Sequence, residues 1–271
     1  MKKKSAVLII IAVLVSLFAG CGSSNGSTKS NDTSKDNSFQ KIKDAGTLKI
    51  GLDDSYPPME FRDEKNNLVG FDIELGNEIG KKLGVKVEYM PTDWNGIILA
   101  LKSGKFNMIL SSLSMTEERK KEIDFAGPYL EGGQIIAVKK SNNDIKSSAD
   151  LKGRIVGCQL GSTGEEAANK IQGIKELKKY DKGTEAFHDL AIGRVEAVIM
   201  DGQVGGYYNK KDGNAFKILS EKLTKEPEGI GIKKEDKELK EKLQKVLDEL
   251  KQDGTLSKLS IKWFGYDVYK K

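Results

Sequence analysis

The chain has 271 residues, with 45 Lys and Arg against 40 Asp and Glu, and a formal net charge of +5. Three of the lysines precede residue 20, so a chain that begins at residue 21 carries 42 basic and 40 acidic side chains. This balance, without a dense basic stripe interleaved with aromatic residues, argues against nucleic-acid binding. The length suits two modest lobes.

The N-terminus predicts export. Lys2, Lys3 and Lys4 precede an apolar run from Ala6 to Val15, and a basic head followed by a short apolar run is typical of a signal peptide. The run is shorter than the ~20 residues that a membrane helix needs. We therefore expect residues 1–20 to be removed.

The residues before Cys21, Leu17 to Gly20, resemble a bacterial lipobox. The resemblance implies that Cys21 becomes the first mature residue, carries a lipid and attaches the protein to the membrane. Phe18 stands where Leu is commonest, so ordinary secretory cleavage remains open. The expected location is extracytoplasmic, either lipid-anchored to the cell membrane of a Gram-positive-like cell or periplasmic.

A polar segment follows Cys21. Residues 22–37 are almost all Gly, Ser, Asn, Thr, Lys and Asp, a composition that cannot anchor a fold, and we predict a flexible tether over residues 21–40. With Cys21 lipidated, Cys158 is the remaining cysteine and cannot form an internal disulfide. Its apolar surroundings predict a small core residue.

The first half alternates strands and helices. Strands are predicted at Leu48–Leu52, Val85–Tyr89 and Asn107–Leu110, and helices at Phe71–Leu83 and Trp94–Leu101. This order indicates an α/β sheet with parallel neighbours.

The second half repeats this order. Strands are predicted over residues 155–160, 177–180 and 197–200, and helices over 162–171, 184–192 and 203–209. In both halves a Gly-basic turn precedes an apolar strand, and eight residues after the glycine stand Ser112 and Asp201. Ligands bind at the carboxyl ends of strands in such sheets, so we expect Ser112 and Asp201 on opposite walls of one cleft. Both could also be ordinary polar residues at strand ends.

Two extended segments, Gln134–Val138 and Gly229–Ile232, are predicted to cross between the halves as a hinge. The helices predicted at Lys237–Gln252 and Thr255–Trp263 are expected to return to the first lobe. The predicted organisation is lobe 1 from residues 41–133 and 227–271, and lobe 2 from residues 134–226.

Three motifs resemble those of polar amino acid binding proteins. Ile50–Phe61 and Leu68–Leu75 resemble the opening signature of that family, and Ser111–Arg119 resembles its carboxylate-binding segment. The likeness extends to Trp263–Gly265. It implies a two-lobed type II periplasmic binding protein fold of the α/β class, each lobe a mixed, mostly parallel sheet flanked by helices, joined by a two-segment hinge. Lysine/arginine/ornithine-, histidine- and glutamine-binding proteins are the similar members.

The two oxygens of a carboxylate ligand are best bound by two parallel N–H donors, which the Arg guanidinium provides. Arg119 is the candidate, although it could be a solvated charge among its acidic and basic neighbours. By resemblance, the backbone N–H groups of Ser114 and Thr163 join Arg119 on the carboxylate. Thr163 lies in a loop that opens a helix, where free N–H groups attract anions, but the loop could equally be a plain helix cap.

An ammonium group needs acceptors and a negative partner. By resemblance, Asp201 supplies the charge, while the Ser112 carbonyl and the Ser114 hydroxyl complete the cage. The resemblance also places the ligand side chain between Tyr56 and Trp94, although Trp94 could be a core residue at a helix start.

The resemblance places Asp53 at the far end of the ligand side chain. Its charge favours a basic or amide-bearing ligand. The chain departs from the basic-ligand relatives at Gly164, where some carry Gln. Selectivity among these ligands therefore stays open.

The resemblance makes this chain the solute-binding component of an ABC importer, with a free amino acid as ligand and a permease with its ATPase as partners. We expect a monomer that is not an enzyme, without a cofactor or a metal site. A cyclohexadienyl-dehydratase-like enzyme shares the fold, but it needs a positioned general acid. His188, the sole histidine, sits on a predicted helix, where a surface or packing role is expected rather than a catalytic one. A sensor domain that binds the same ligand is a third interpretation. Such receptors usually append a membrane helix and an output module, and this sequence shows neither, so an autonomous binding protein is the simpler expectation.

Overall fold

The computed structural model describes residues 36–211, 213 and 215–270. The predicted signal peptide, Cys21 and most of the predicted tether lie outside these residues. The first helix, Ser38–Ala45, begins inside the segment predicted as tether, residues 21–40. That prediction was too long, because Phe39 packs against the core and Ile42 is buried in it.

The strands, in chain order, are β1 (Thr47–Leu52), β2 (Ser55–Tyr56), β3 (Glu60–Arg62), β4 (Leu68–Val69), β5 (Lys86–Pro91), β6 (Met108–Ile109), β7 (Asp124–Gly132), β8 (Gln134–Lys139), β9 (Ile155–Gln159), β10 (Glu176–Tyr180), β11 (Ala197–Asp201), β12 (Phe216–Lys222) and β13 (Glu226–Ile232). The helices are α1 (Ser38–Ala45), α2 (Phe71–Leu83), α3 (Ile97–Lys102), α4 (Glu117–Glu122), α5 (Thr163–Lys170), α6 (Gly183–Ile192), α7 (Gly202–Lys211), α8 (Lys237–Gln252) and α9 (Thr255–Phe264). Short 3-10 helices lie at Trp94–Gly96 and Ser148–Leu151.

Two five-stranded sheets share one plan. The first lobe has the order β5-β1-β6-β13-β7 and the second has β10-β9-β11-β8-β12. In each, three strands run parallel, and a strand that enters from the other lobe, β13 or β8, pairs antiparallel with both neighbours. The predicted two-lobed fold with mixed sheets is confirmed, although the antiparallel share is larger than expected.

A small third sheet, β2-β3-β4, was not predicted. Its strands have two or three residues each, too few for a period-two pattern to be visible. It carries Tyr56 and Glu60, two residues that matter for the cavity described below.

Amphipathic helices cover the first sheet. On α8, the buried residues Leu239, Leu243, Val246, Leu247 and Leu250 recur at helical spacing, and this apolar stripe packs against β7, α2 and α9. The C-terminal helices therefore belong to the first lobe. No helix among the described residues combines the length and the apolar character needed to cross a membrane.

The chain passes between the two sheets at Gly133 and again between β12 and β13. The segments predicted as the crossings are strands inside the sheets, and each crossing lies immediately before such a strand. The two crossings are adjacent, because the Gln134 N–H donates to Thr224 Oγ1 at 2.8 Å. A side chain on Gly133 is excluded, because its Cβ would stand 2.3 Å from the Thr224 carbonyl oxygen.

Candidate functional site

A cavity lies between the two lobes. Its lining residues are Asp53, Tyr56, Trp94, Ser111, Ser112, Ser114, Arg119, Gln159, Ser162, Thr163 and Asp201. All eight residues selected from the sequence as ligand contacts are among them. The structure brings these residues together, and their roles in binding remain predictions.

Arg119 lies on α4, the helix that Thr116 caps through its hydroxyl. The guanidinium is buried, donates to the Ser114 carbonyl at 3.1 Å, and stands 5.3 Å from the centre of the Trp94 ring. Among the residues that the structure describes, no carboxylate oxygen lies within 4.0 Å of it. Burial lowers its pKa, but an Arg side chain stays charged. A buried cation without an ion pair is costly, which suits it to an anionic ligand.

Asp201 is the last residue of β11, and only 7% of it is exposed. Tyr56 donates its hydroxyl to Oδ2 at 2.5 Å, and the Gln134 amide donates to Oδ1 at 2.6 Å. No cationic nitrogen within the described ranges comes within 4.0 Å of it. Burial raises the pKa of Asp201 to about 6, against the opposing effects of the Tyr56 hydrogen bond and the Arg119 charge. The carboxylate is thus ionised at neutral pH and lacks a cation.

Asp53 follows the carboxyl end of β1 and is the third ionisable group on the cavity wall. Its carboxylate accepts from the Ser55 N–H at 3.0 Å, the Ser55 hydroxyl at 2.6 Å and the Gln159 amide at 2.7 Å. Burial raises its pKa. One basic and two acidic side chains therefore face a single cavity.

The two aromatic residues reach the cavity from the first lobe. Trp94 begins a 3-10 helix, is partly exposed, and donates its indole N–H to the Gly161 carbonyl of the second lobe at 3.1 Å. Tyr56 is buried, and its hydroxyl is directed to Asp201. Both could still flank a ligand side chain, so the predicted sandwich stays a prediction.

The loop before α5 is both a helix cap and part of the cavity wall. The Ser162 hydroxyl accepts from the Glu165 N–H at 3.1 Å, which caps the helix. Gly161 has a φ of +72°, in the left-handed region that favours glycine, and a Cβ there would stand 2.8 Å from Asn95 Oδ1 of the first lobe. Thr163 Oγ1 lies 3.5 Å from Ser114 Oγ across the cleft. The two readings left open for this loop are thus compatible.

Four residues around the cavity were missed by sequence reasoning. Ser111, Gln159 and Ser162 line it, and Gln134 links Asp201 to Thr163 by donating to both. Gln159 is the last residue of β9. The rule that selected Asp201, a polar residue at the carboxyl end of a strand, could therefore have selected Gln159 as well. Gln134 starts β8, and nothing in its local pattern points to a site.

Cys158 and His188 lie outside the cavity, as expected for residues without a role in binding. Cys158 is fully buried in β9, and burial raises its pKa to about 12, so the thiol is protonated and unreactive. His188 is exposed on α6, outside the cavity.

Residues 48–266 match the model of the bacterial extracellular solute-binding proteins, family 3. The chain belongs to this family. The L-cystine-binding protein TcyJ of Escherichia coli K12 is 34% identical over 86% of this chain and 88% of its own length. An ancestral arginine-binding protein, solved with arginine, is 49% identical, with a TM-score of 0.78 over 81% of this chain and 99% of that one.

A second similar structure bears on the enzyme alternative. It is the ancestral amino acid-binding protein AncCDT-1, described as a precursor of cyclohexadienyl dehydratase, at 41% identity and a TM-score of 0.79 over 83% of this chain and 99% of that one. All three relatives are binding proteins. The family prediction is confirmed, as is the prediction that the chain is not an enzyme.

Proposed function

We propose that this protein captures a free polar L-amino acid with a basic or amide-bearing side chain, a basic one by preference, and delivers it to an ABC permease. The observation that carries the proposal is the set of three buried ionisable side chains on one cavity, the basic Arg119 and the acidic Asp53 and Asp201. A basic amino acid carries one carboxylate and two cations, so it complements all three. Burying these charges is favourable only when each finds its partner.

The α-carboxylate is assigned to Arg119. A guanidinium matches a carboxylate with two parallel hydrogen bonds, and the N–H groups of Ser114 and Thr163 would add two more. Thr163 is the first residue of α5, where the helix dipole and free N–H groups favour an anion.

The α-ammonium is assigned to Asp201, with the Ser112 carbonyl and the Ser114 hydroxyl as further acceptors. Arg119 and Asp201 already attract one another electrostatically, as opposite charges on facing walls should. A zwitterion bound between Arg119 and Asp201 would replace their attraction across the cleft with two closer ion pairs, one at each residue.

The ligand side chain would lie between Tyr56 and Trp94 and end at Asp53. Asp53 can accept from a guanidinium or an ammonium, and Gln159 beside it can serve an amide. In keeping with this, the ancestral arginine-binding protein was also solved with glutamine.

Capture is proposed to start on the first lobe, which supplies seven of the eleven lining residues. Asp201 and Thr163 would then reach the ligand as the lobes close by rotation about Gly133 and residues 223–225, so that ligand shifts an open–closed equilibrium. The closed monomer would dock on a permease whose separate ATPase drives import. We also propose lobe boundaries near residues 133 and 226, and attachment to the membrane through a lipid on Cys21.

A thermal-shift screen of the purified protein against the twenty amino acids, ornithine and cystine tests this proposal, with calorimetry on every hit. Ligand that binds only the folded state raises the melting temperature with its saturation. We expect arginine, lysine or ornithine to give the largest shift. A protein that responds to none of these compounds, or best to aspartate or glutamate, would contradict the proposal, whereas a preference for cystine would remove only the role of Asp53.

A further inference from the structure

Two carboxyl groups meet directly behind the cavity wall. Glu60 in β3 is fully buried, Asp72 in the first turn of α2 is 1% exposed, and the two carboxyl groups act on one another electrostatically. Neither residue lines the cavity. Glu60 Oε2 and Asp72 Oδ1 have no N–H or hydroxyl partner among the described residues, so these are the oxygens left for the contact between the two side chains.

Two carboxyl oxygens can form a hydrogen bond only when one of them carries a proton. Like charges in a shared buried site cannot both ionise at neutral pH. Burial and the charge of Asp72 raise the pKa of Glu60 well above its usual range, while burial raises that of Asp72 to about 6. The pair therefore holds one proton and one negative charge at neutral pH.

The other two oxygens of the pair hold consecutive serines of the cavity wall. The Ser111 hydroxyl donates to Glu60 Oε1 at 2.6 Å, and the Ser112 N–H donates to Asp72 Oδ2 at 2.9 Å. Tyr129 adds a third donor, to Asp72 Oδ2 at 3.0 Å. Ser112 has a φ of +44°, a left-handed conformation that is unfavourable for a serine. A charge-assisted hydrogen bond to its N–H offsets that cost.

We propose that Glu60 and Asp72 act as one positioning unit, with a single shared proton and a single negative charge, that fixes Ser111 and Ser112 for the α-ammonium group of the ligand. The inference rests on the proposed function, because Ser112 is the residue assigned to that ammonium. It adds a role for two residues that do not themselves touch the cavity.

If the two carboxyl groups share one proton, the amide variants Glu60→Gln and Asp72→Asn should behave differently alone and together. In either single variant the amide N–H can replace the proton, and the remaining carboxylate keeps the charge. In the double variant the charge is gone. We expect each single variant to lose about two- to threefold in affinity for L-arginine and the double variant about 30-fold, more than the product of the two, since residues in one network do not act additively.

A second ligand separates positioning from general damage. 5-Guanidinopentanoate is L-arginine without its α-ammonium, so its affinity should fall less than about threefold in the double variant if the unit serves that group. The matched control is the double variant Glu64→Gln/Asp144→Asn, which removes two carboxylates at exposed sites and should leave both affinities as they are.

The outcomes distinguish the two proposals. Wild-type protein that binds no amino acid would overturn the proposed function and this inference with it. If L-arginine binds but each single variant already loses as much as the double variant, or the double variant loses equally for both ligands, the positioning unit alone is overturned. An infrared difference spectrum gives a check that needs only one variant: Glu60→Gln should lose one protonated-carboxyl band at neutral pH, and a spectrum without that loss would also overturn the inference.

Discussion

The two walls of the cavity are built from the same pattern and carry different charged side chains. In both lobes a strand follows a Gly-basic turn and ends at the cavity, yet β11 ends in the carboxylate of Asp201, while β6 leads into a serine loop and then Arg119. The first wall supplies seven lining residues and the second supplies four. The strand ends thus fix where the site is, whereas the residues placed on them decide what it binds.

The largest expected effect comes from Arg119 on the first-lobe wall. Arg119→Ala should cost ~3–5 kcal/mol in binding, two or more decades in affinity, because the ligand carboxylate would be buried without a partner. Calorimetry with L-arginine measures it. Arg194→Ala removes an exposed arginine of the second lobe and is the control. Near-normal binding by Arg119→Ala would remove this residue from the site.

Asp201→Asn tests the anionic wall and should weaken binding by about 30- to 100-fold, since hydrogen bonds to a charged group contribute roughly 2–3 kcal/mol. The same change should stabilise the ligand-free protein. The folded-state pKa of about 6 exceeds the ordinary value of 3.8, so ionised Asp201 costs stability at neutral pH, on the order of 1–3 kcal/mol. That cost should vanish below about pH 4.

Thermal unfolding without ligand at pH 7 and at pH 4 checks this opposition, with the exposed Asp144→Asn as the control. A variant that binds weakly and is also less stable at pH 7 would show that Asp201 supports the fold rather than the ligand.

The pH dependence of binding should be smaller. Affinity for L-arginine should fall as the pH drops through about 6, by roughly tenfold by pH 5, because Asp201 must lose its proton before it can pair with the ammonium. Calorimetry between pH 7.5 and pH 5 that finds a constant affinity would contradict an ionised acceptor.

The smallest change expected in overall affinity, and the sharpest in selectivity, comes from Asp53→Asn. Loss of its charge should lower the affinity for arginine and lysine by about tenfold relative to glutamine, since a charged ligand group loses its partner. Asp54→Asn is the adjacent control, because Asp54 pairs with Arg62 and does not line the cavity. An unchanged ranking of ligands in Asp53→Asn would discredit its selectivity role.

The long elements could be predicted because their patterns are local. Phe71–Leu83 has helical apolar spacing closed by Gly84, and the structure gives the helix those bounds. The strands β7 and β12 were missed: β7 contains Gly127 and Pro128, which are poor strand formers, and pairing with β13 overrides that local preference.

The site residues were harder to predict from the sequence than the long helices and strands. Ser112 and Asp201 followed from counting along repeated patterns, while Arg119, Tyr56 and Asp53 depended on the resemblance. The bonds of Gln134 to Asp201 and of Glu60 to Ser111 join residues 67 and 51 positions apart. No local pattern carries such contacts, because they arise only when the sheets are assembled.

The most direct test of the central claim is a crystal structure of the protein with L-arginine, or with the amino acid that the thermal screen selects. We expect one ligand spanning the cleft, with its α-carboxylate on the guanidinium of Arg119 and its α-ammonium on the carboxylate of Asp201. A ligand bound in the reverse orientation, or held by one of these two residues without the other, would contradict it.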